Sequence, residues 1–214
     1  MKPILLLLGV ICYCSAFSQK VEINYSTPLQ IDSSEYFMIP ELIDNDNKEA
    51  YGKGKGYLLW GNYTDIYFYN AKTNESKKLF GTTLALVSSF NTGRQYYYDR
   101  PGDQEEKAPA NILPRHILYL ARTADYNGDK ALDSDDPVYL YLSDKTGNNL
   151  ARITPEGMNL VSWTLSKDKQ MILVKLQRDK NGNKKFGQGD DDVYYRVDLQ
   201  EDVSKVKCYP LPLQ

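Results

Sequence analysis

Histidine and cysteine are nearly missing from this 214-residue chain, which has one histidine, His116, and three cysteines. Two of the cysteines, Cys12 and Cys14, fall close to the start, so only Cys208 remains in the body of the sequence. That scarcity excludes zinc sites of the usual Cys and His spacing, a Cys–His nucleophile pair and an internal disulfide beyond the first segment. A G-x-S-x-G elbow and a phosphate-binding glycine loop are also lacking. His116 stands beside a strand start, where a surface or packed role is expected rather than general-base work. The expectation is a protein that is not an enzyme, with paired Asp and Glu for glycoside hydrolysis left open because those residues are abundant.

Charge of one sign is lacking too. Twenty-six Lys and Arg against 28 Asp and Glu give a net charge of −2, without a basic cluster of the kind that phosphate backbones need. Nucleic acid is therefore not an expected partner. The long apolar run is Ile4 to Cys14, behind Met1-Lys2-Pro3; at about eleven residues it is too short for the roughly 20 that span a bilayer. Ala16-Phe17-Ser18 offers a small-x-small cleavage pattern ahead of Gln19. The expectation is a signal peptide over 1–18 and a secreted or periplasmic domain over 19–214 that does not span the membrane. A lipid anchor is less expected, because neither Cys12 nor Cys14 follows the small residue that a lipobox requires.

What the chain has in quantity is tyrosine, 18 residues of it, on short strand-like segments separated by Gly, Asn and Asp turns. This composition predicts an all-β fold. Val21 to Tyr25 and Tyr36 to Ile39 read as strands, followed by Tyr57 to Trp60, Ile66 to Tyr69 and Lys77 to Phe80. The order strand, turn, strand, turn, strand returns as Ile117 to Leu120, Val138 to Leu142 and Leu150 to Ile153, and again as Met171 to Val174, Val193 to Val197 and Val206 to Tyr209. Leu84 to Val87 and Leu160 to Trp163 read as leading strands, which gives about three antiparallel units of up to four strands over 36–82, 83–157 and 158–214. Ile66 to Tyr69 and Val138 to Leu142 are apolar at every position, as strands covered on both faces are. Val193, Tyr195, Val197 and Leu199 instead alternate with polar or tyrosine positions, so the last sheet should have one wet face. Asp44 to Glu49 and Asp99 to Pro109 read as solvated loops.

The chemistry concentrates in two loops. Asp125-Tyr126-Asn127-Gly128-Asp129-Lys130-Ala131-Leu132-Asp133-Ser134-Asp135-Asp136 carries oxygen-bearing side chains at positions one, three, five, nine and twelve, the spacing with which a twelve-residue turn surrounds a hard cation with six to eight oxygens. Asp125, Asn127, Asp129, Asp133 and Asp136 would supply side-chain oxygens and Ala131 a backbone carbonyl. The pattern recurs 54 residues later in Asp179, Asn181, Asn183 and Asp190, with Lys185 at the backbone-carbonyl position. Gly187 there would need a water, and Lys180, Lys184 and Lys185 oppose a cation. Ca²⁺ is the expected cofactor of the first loop, and of the second more weakly. The competing reading is a pair of hairpin turns, in which Asp, Asn and Gly are preferred for their backbone conformations alone. Lys130 occupies the position that helix-loop-helix sites give to glycine, so adopting that turn costs strain.

The segment Leu150-Ala151-Arg152-Ile153-Thr154-Pro155-Glu156-Gly157, with Trp163, Ser166-Lys167-Asp168-Lys169 and the hairpin closing on Tyr194 to Leu199, resembles the repeats of TolB-like β-propellers. Those repeats end a strand in R-[LI]-T-P-x-G and restart with W-S-P-D-G; here Lys167 and Lys169 stand for the Pro and Gly. The loops are similar to those of EF-hands and of integrin-type propellers. The resemblance implies propeller-like blades, about three of them, and binding of a protein or glycan ligand at the cell envelope. A homodimer could then close a half-propeller. Trp60 and Trp163 lie near strand ends, where they serve either the core or a ligand surface.

Overall fold

The computed structural model describes residues 23–32, 34–42, 63–91 and 113–213. The expected signal peptide, the strand over Tyr57 to Trp60, Trp60 itself and the loops at Asp44 to Glu49 and Asp99 to Pro109 lie outside these residues. Twelve strands are described: β1 Leu29–Gln30, β2 Tyr36–Leu42, β3 Tyr63–Asn70, β4 Glu75–Lys78, β5 Leu86–Asn91, β6 His116–Arg122, β7 Tyr139–Asp144, β8 Ala151–Arg152, β9 Met158–Leu165, β10 Met171–Arg178, β11 Asp191–Asp198 and β12 Lys207–Pro210. The chain is all-β and its pairings are antiparallel. A 3-10 turn, Val203–Lys205, is capped by the Asp202 carboxylate on the Ser204 amide.

The third unit is a four-stranded meander in the order β12-β11-β10-β9. The first two units, expected as separate sheets, join in one eight-stranded sheet of order β1-β2-β3-β5-β6-β7-β8, with β4 also on β3. The junction is narrow, because β3 and β5 meet at the single pair Tyr63–Val87. Among the described residues no sheet closes on itself. Two strand expectations are corrected at the start: Tyr25 makes only an isolated bridge to Glu41, and Tyr63, expected in a turn, begins β3.

Two cores lie on opposite faces of β6 and β7. Ile117, Tyr119, Ala121, Tyr139 and Tyr141 pack with Met38, Ile66 and Phe68 of the first unit. Leu118, Leu140 and Leu142 pack with Leu160, Ile172, Val174, Leu176 and Val197 of the third. Side chains alternate across a strand, so the middle of these two central strands, Ile117 to Ala121 and Tyr139 to Leu142, must be apolar throughout, as it is. The last sheet has one wet face: Val197 and Leu199 are buried, whereas Tyr194, Arg196 and Gln200 are exposed. Trp163 packs against the second core.

The strand ends have local causes. β4 stops at Lys78 because the buried Asp65 carboxylate takes the amides of Phe80 at 2.9 Å and Gly81 at 3.1 Å, pulling them out of the ladder. Burial, partly offset by the amides of Phe80 and Ile66, raises the Asp65 pKa. Between β9 and β10, Lys169 takes the position of the glycine in the resembled turn with φ of 58°, and the turn still closes: the Ser166 amide reaches the Met171 carbonyl at 2.8 Å. His116 is buried, its Nε2 against the Gln200 carbonyl at 2.5 Å, which ties β6 to the third unit.

Candidate metal loops and the cleft between them

The two loops follow β6 and β10, one in each sheet, and they fold alike. In the first, Asp125 accepts the amide of Gly128 at 2.7 Å on one oxygen and that of Lys130 at 2.8 Å on the other. In the second, Asp179 accepts Gly182 at 2.7 Å and Lys184 at 2.8 Å in the same way. Positions three and five accept the amides two residues on: Asn127 from Asp129, Asp129 from Ala131, Asn181 from Asn183 and Asn183 from Lys185, at 2.8–2.9 Å. The final carboxylate closes each turn. Asp136 holds the amides of Tyr126 and Asp133, and Asp190 those of Lys180 and Gly187.

Backbone conformation repeats as well. Gly128 and Gly182 have φ of 81° and 71°; Lys130 and Lys184, two residues on, have 71° and 61°. The lysines therefore adopt the left-handed turn that glycine usually serves, at a cost of about 1–2 kcal/mol each. Both turns close with a lysine at position six.

The ligands proposed from sequence are thus brought into two compact turns, with Asp125, Asn127, Asp129 and Asp136 of the first, and Asp179, Asn181, Asn183 and Asp190 of the second, aimed at their own backbone amides. Asp133 takes the Asp135 amide at 2.9 Å. Apart from the Asp125 oxygen that takes both the Gly128 and the Asp129 amide, the carboxylate oxygens accept at most one backbone amide each and keep a second lone pair, so this scheme is compatible with a cation. Among the described residues no three His, Cys, Asp or Glu side chains converge on one point. Loops of this kind complete their shell with Asn and carbonyl oxygens, here Asn127, Ala131, Asn183 and Lys185, outside that set. Asp136 is buried, which raises its pKa; the two amides it accepts oppose the rise, and Asp125 and Asp133 add to it.

The loops also touch each other. Tyr126 and Phe186 stack with ring centroids 5.3 Å apart, and Lys185 Nζ lies 3.5 Å from Asp135. The Tyr126 hydroxyl reaches Asp179 at 3.5 Å, and a Cβ on Gly128 would lie 3.9 Å from Lys184 Nζ. Of the second loop's lysines, Lys185 is thereby turned toward an acid of the first loop, while Lys180 pairs with Asp191.

No family model matches this chain. A search of curated proteins finds no similar one either. Among the described residues no helix is long and apolar enough to cross a membrane.

Between the loops lies a cleft of about 460 Å³, walled by Asp135 and Asp136 on one side and Lys185 and Phe186 on the other. Arg122, Asn159 and Gln177 line it from β6, β9 and β10. Sequence reading passed over these three and the Tyr126–Phe186 contact. Single polar residues in strands carry no spacing signal, and only the packing of one sheet on the other brings them together.

Proposed function

We propose that this chain is a secreted or periplasmic, non-enzymatic calcium-binding β-repeat protein that acts as a binding or scaffold module at the cell envelope. The observation that carries the reading is the common hydrogen-bond scheme of the two loops, down to left-handed lysines at position six in both. Hairpin turns with no shared task have little reason to repeat six side-chain contacts and an unfavourable lysine φ. Ca²⁺ would be held in the first loop by Asp125, Asn127, Asp129, Asp133 and Asp136 with the Ala131 carbonyl, and more weakly in the second. The three stacked antiparallel units belong to the same reading as propeller-like blades, with a second copy or a ligand protein covering the outer edges.

Dissociation constants of the extracellular type, about 10⁻⁴–10⁻³ M, would add roughly 0.4–1.4 kcal/mol per site at one to ten times those concentrations. That steadies a hairpin without switching a fold. Calcium titration calorimetry on the wild type and on Asp125→Ala with Asp129→Ala tests it. Saturable heat lost in the double variant is expected; absence of heat and unchanged melting in 10 mM calcium against chelator would overturn it. A second reading, a glycan-binding protein with calcium in a structural role, is favoured by the cleft, which sets Phe186 beside amide side chains.

A further inference from the structure

Arg122 ends β6 half-buried at the cleft, its Nε donating to the Asp136 carbonyl at 3.0 Å. Among the described residues this is its one hydrogen bond, and no carboxylate pairs with it. A guanidinium has five donors in a planar fork, and a half-buried one left with a single neutral acceptor is set up for a bidentate anion. Neighbouring groups have spare capacity of the right kind. The Asn159 side-chain oxygen is taken by the Val138 amide at 2.9 Å, which leaves its NH₂ to donate. The Gln177 NH₂ is taken by the Gly187 carbonyl at 2.9 Å, which leaves its oxygen to accept. Leu160 and Val161 give an apolar wall, and Phe186 an aromatic one.

We propose that the cleft binds an acidic sugar, with Arg122 holding the carboxylate, Asn159 and Gln177 the hydroxyls and Phe186 the C–H face of the ring. A compact carboxylate answers the guanidinium, while amides of both polarities and an aromatic wall suit a hydroxylated ring better than an aliphatic acid or a peptide end. Of the acidic side chains at the cleft, Asp135 is paired to Lys185, whereas Asp136, with Asp133 behind it, belongs to the first loop. These two are also the carboxylates whose charge acts on Arg122, against a burial that lowers its pKa. A cation in that loop would cancel their field and strengthen the hold on an anion. This coupling rests on the calcium reading, whereas the cleft itself does not.

The test is titration of the full chain with glucuronate, glucose and acetyl-dialanine, each in 5 mM calcium and in chelator, followed by NMR shifts and calorimetry. Saturable binding of glucuronate, with glucose and acetyl-dialanine at least about tenfold weaker, is expected. Arg122→Gln should weaken glucuronate about tenfold or more, as loss of a charged hydrogen-bond donor does. Because Arg122 also latches Asp136, a second variant is needed: Val161→Asp places an acid on the exposed wall without touching the latch and should abolish binding while melting stays unchanged. No glucuronate binding in either buffer, equal binding of glucose or acetyl-dialanine, or binding indifferent to both substitutions overturns the cleft. Equal affinity in calcium and chelator overturns the coupling alone, and calcium calorimetry separately decides the loop.

Discussion

Tyr126 and Phe186, 60 positions apart and one from each candidate metal loop, stack at 5.3 Å with an interplanar angle of 33°. Their contact makes the loops one structure rather than two independent hairpins. Aromatic pairs of this kind are worth about 0.5–1.5 kcal/mol beyond their area. Tyr126→Leu and Phe186→Leu should therefore show a coupling energy in that range in a double-mutant cycle read by urea denaturation. Additive effects would mean that the stack contributes nothing in solution.

Gly147, in the turn between β7 and β8, fixes how closely the second unit approaches the first. A Cβ there would lie 2.4–2.6 Å from three ring atoms of Phe68, and its φ is 71°. Gly147→Ala should cost roughly 2–5 kcal/mol, from overpacking and from a left-handed alanine together. Gly81 separates the two causes: its φ is 66°, but nothing lies within 4 Å of the added atom. Gly81→Ala should cost only a few tenths to about 1 kcal/mol, because the stiffer unfolded chain offsets part of the left-handed strain. Equal losses of melting temperature in the two variants would contradict the Phe68 contact.

Much of this architecture was legible in the sequence, and what was not has physical reasons. Val138 to Leu142 announced a strand covered on both faces because a residue buried on either side must be apolar; Ile66 to Tyr69, read the same way, bury only Ile66 and Phe68 and leave Tyr67 and Tyr69 half-exposed. The loops were legible because Asp and Asn write their turns locally, through amides two to five residues away. The joining of two units into one sheet was not, since it rests on Tyr63 and Val87 alone. Nor was the shift of β4 from the expected Lys77 to Phe80 onto Glu75–Lys78, which Asp65 causes from 15 residues away. Arg122 was silent for the same reason: its surroundings are assembled from three strands of two sheets.

Lys130 and Lys184 give a test in which the substitution should improve the protein. Each holds a left-handed conformation that costs an L-residue about 1–2 kcal/mol, while glycine loses up to about 1 kcal/mol through its freer unfolded chain. Lys130→Gly should therefore stabilise by a few tenths to about 1 kcal/mol in chemical denaturation. It also removes a positive charge from the first loop, so its calcium affinity should rise. A fall in stability would show that the lysine stem makes packing contacts that outweigh its strain.

Cys208, on β12 opposite Val197, turns toward the core of the third sheet. Burial pushes its thiol up to about 11 from the ordinary 9.0. The native chain therefore holds that proton more tightly than the unfolded chain does. Its contribution to stability is complete below about pH 9 and is lost as pH rises through about 11. At pH 8 the native thiol should carry roughly a hundredth of the thiolate of the unfolded one, since each pKa unit is tenfold in that fraction. The thiolate is the reacting species, so iodoacetamide should label native Cys208 about a hundred times more slowly than the urea-unfolded chain. Cys208→Ala should flatten part of the alkaline fall in stability over the same window, with tyrosines whose pKa burial also raises, Tyr119, Tyr139 and Tyr141 among them, leaving the remainder. Equal labelling rates would put the thiol in water and β12 off the core.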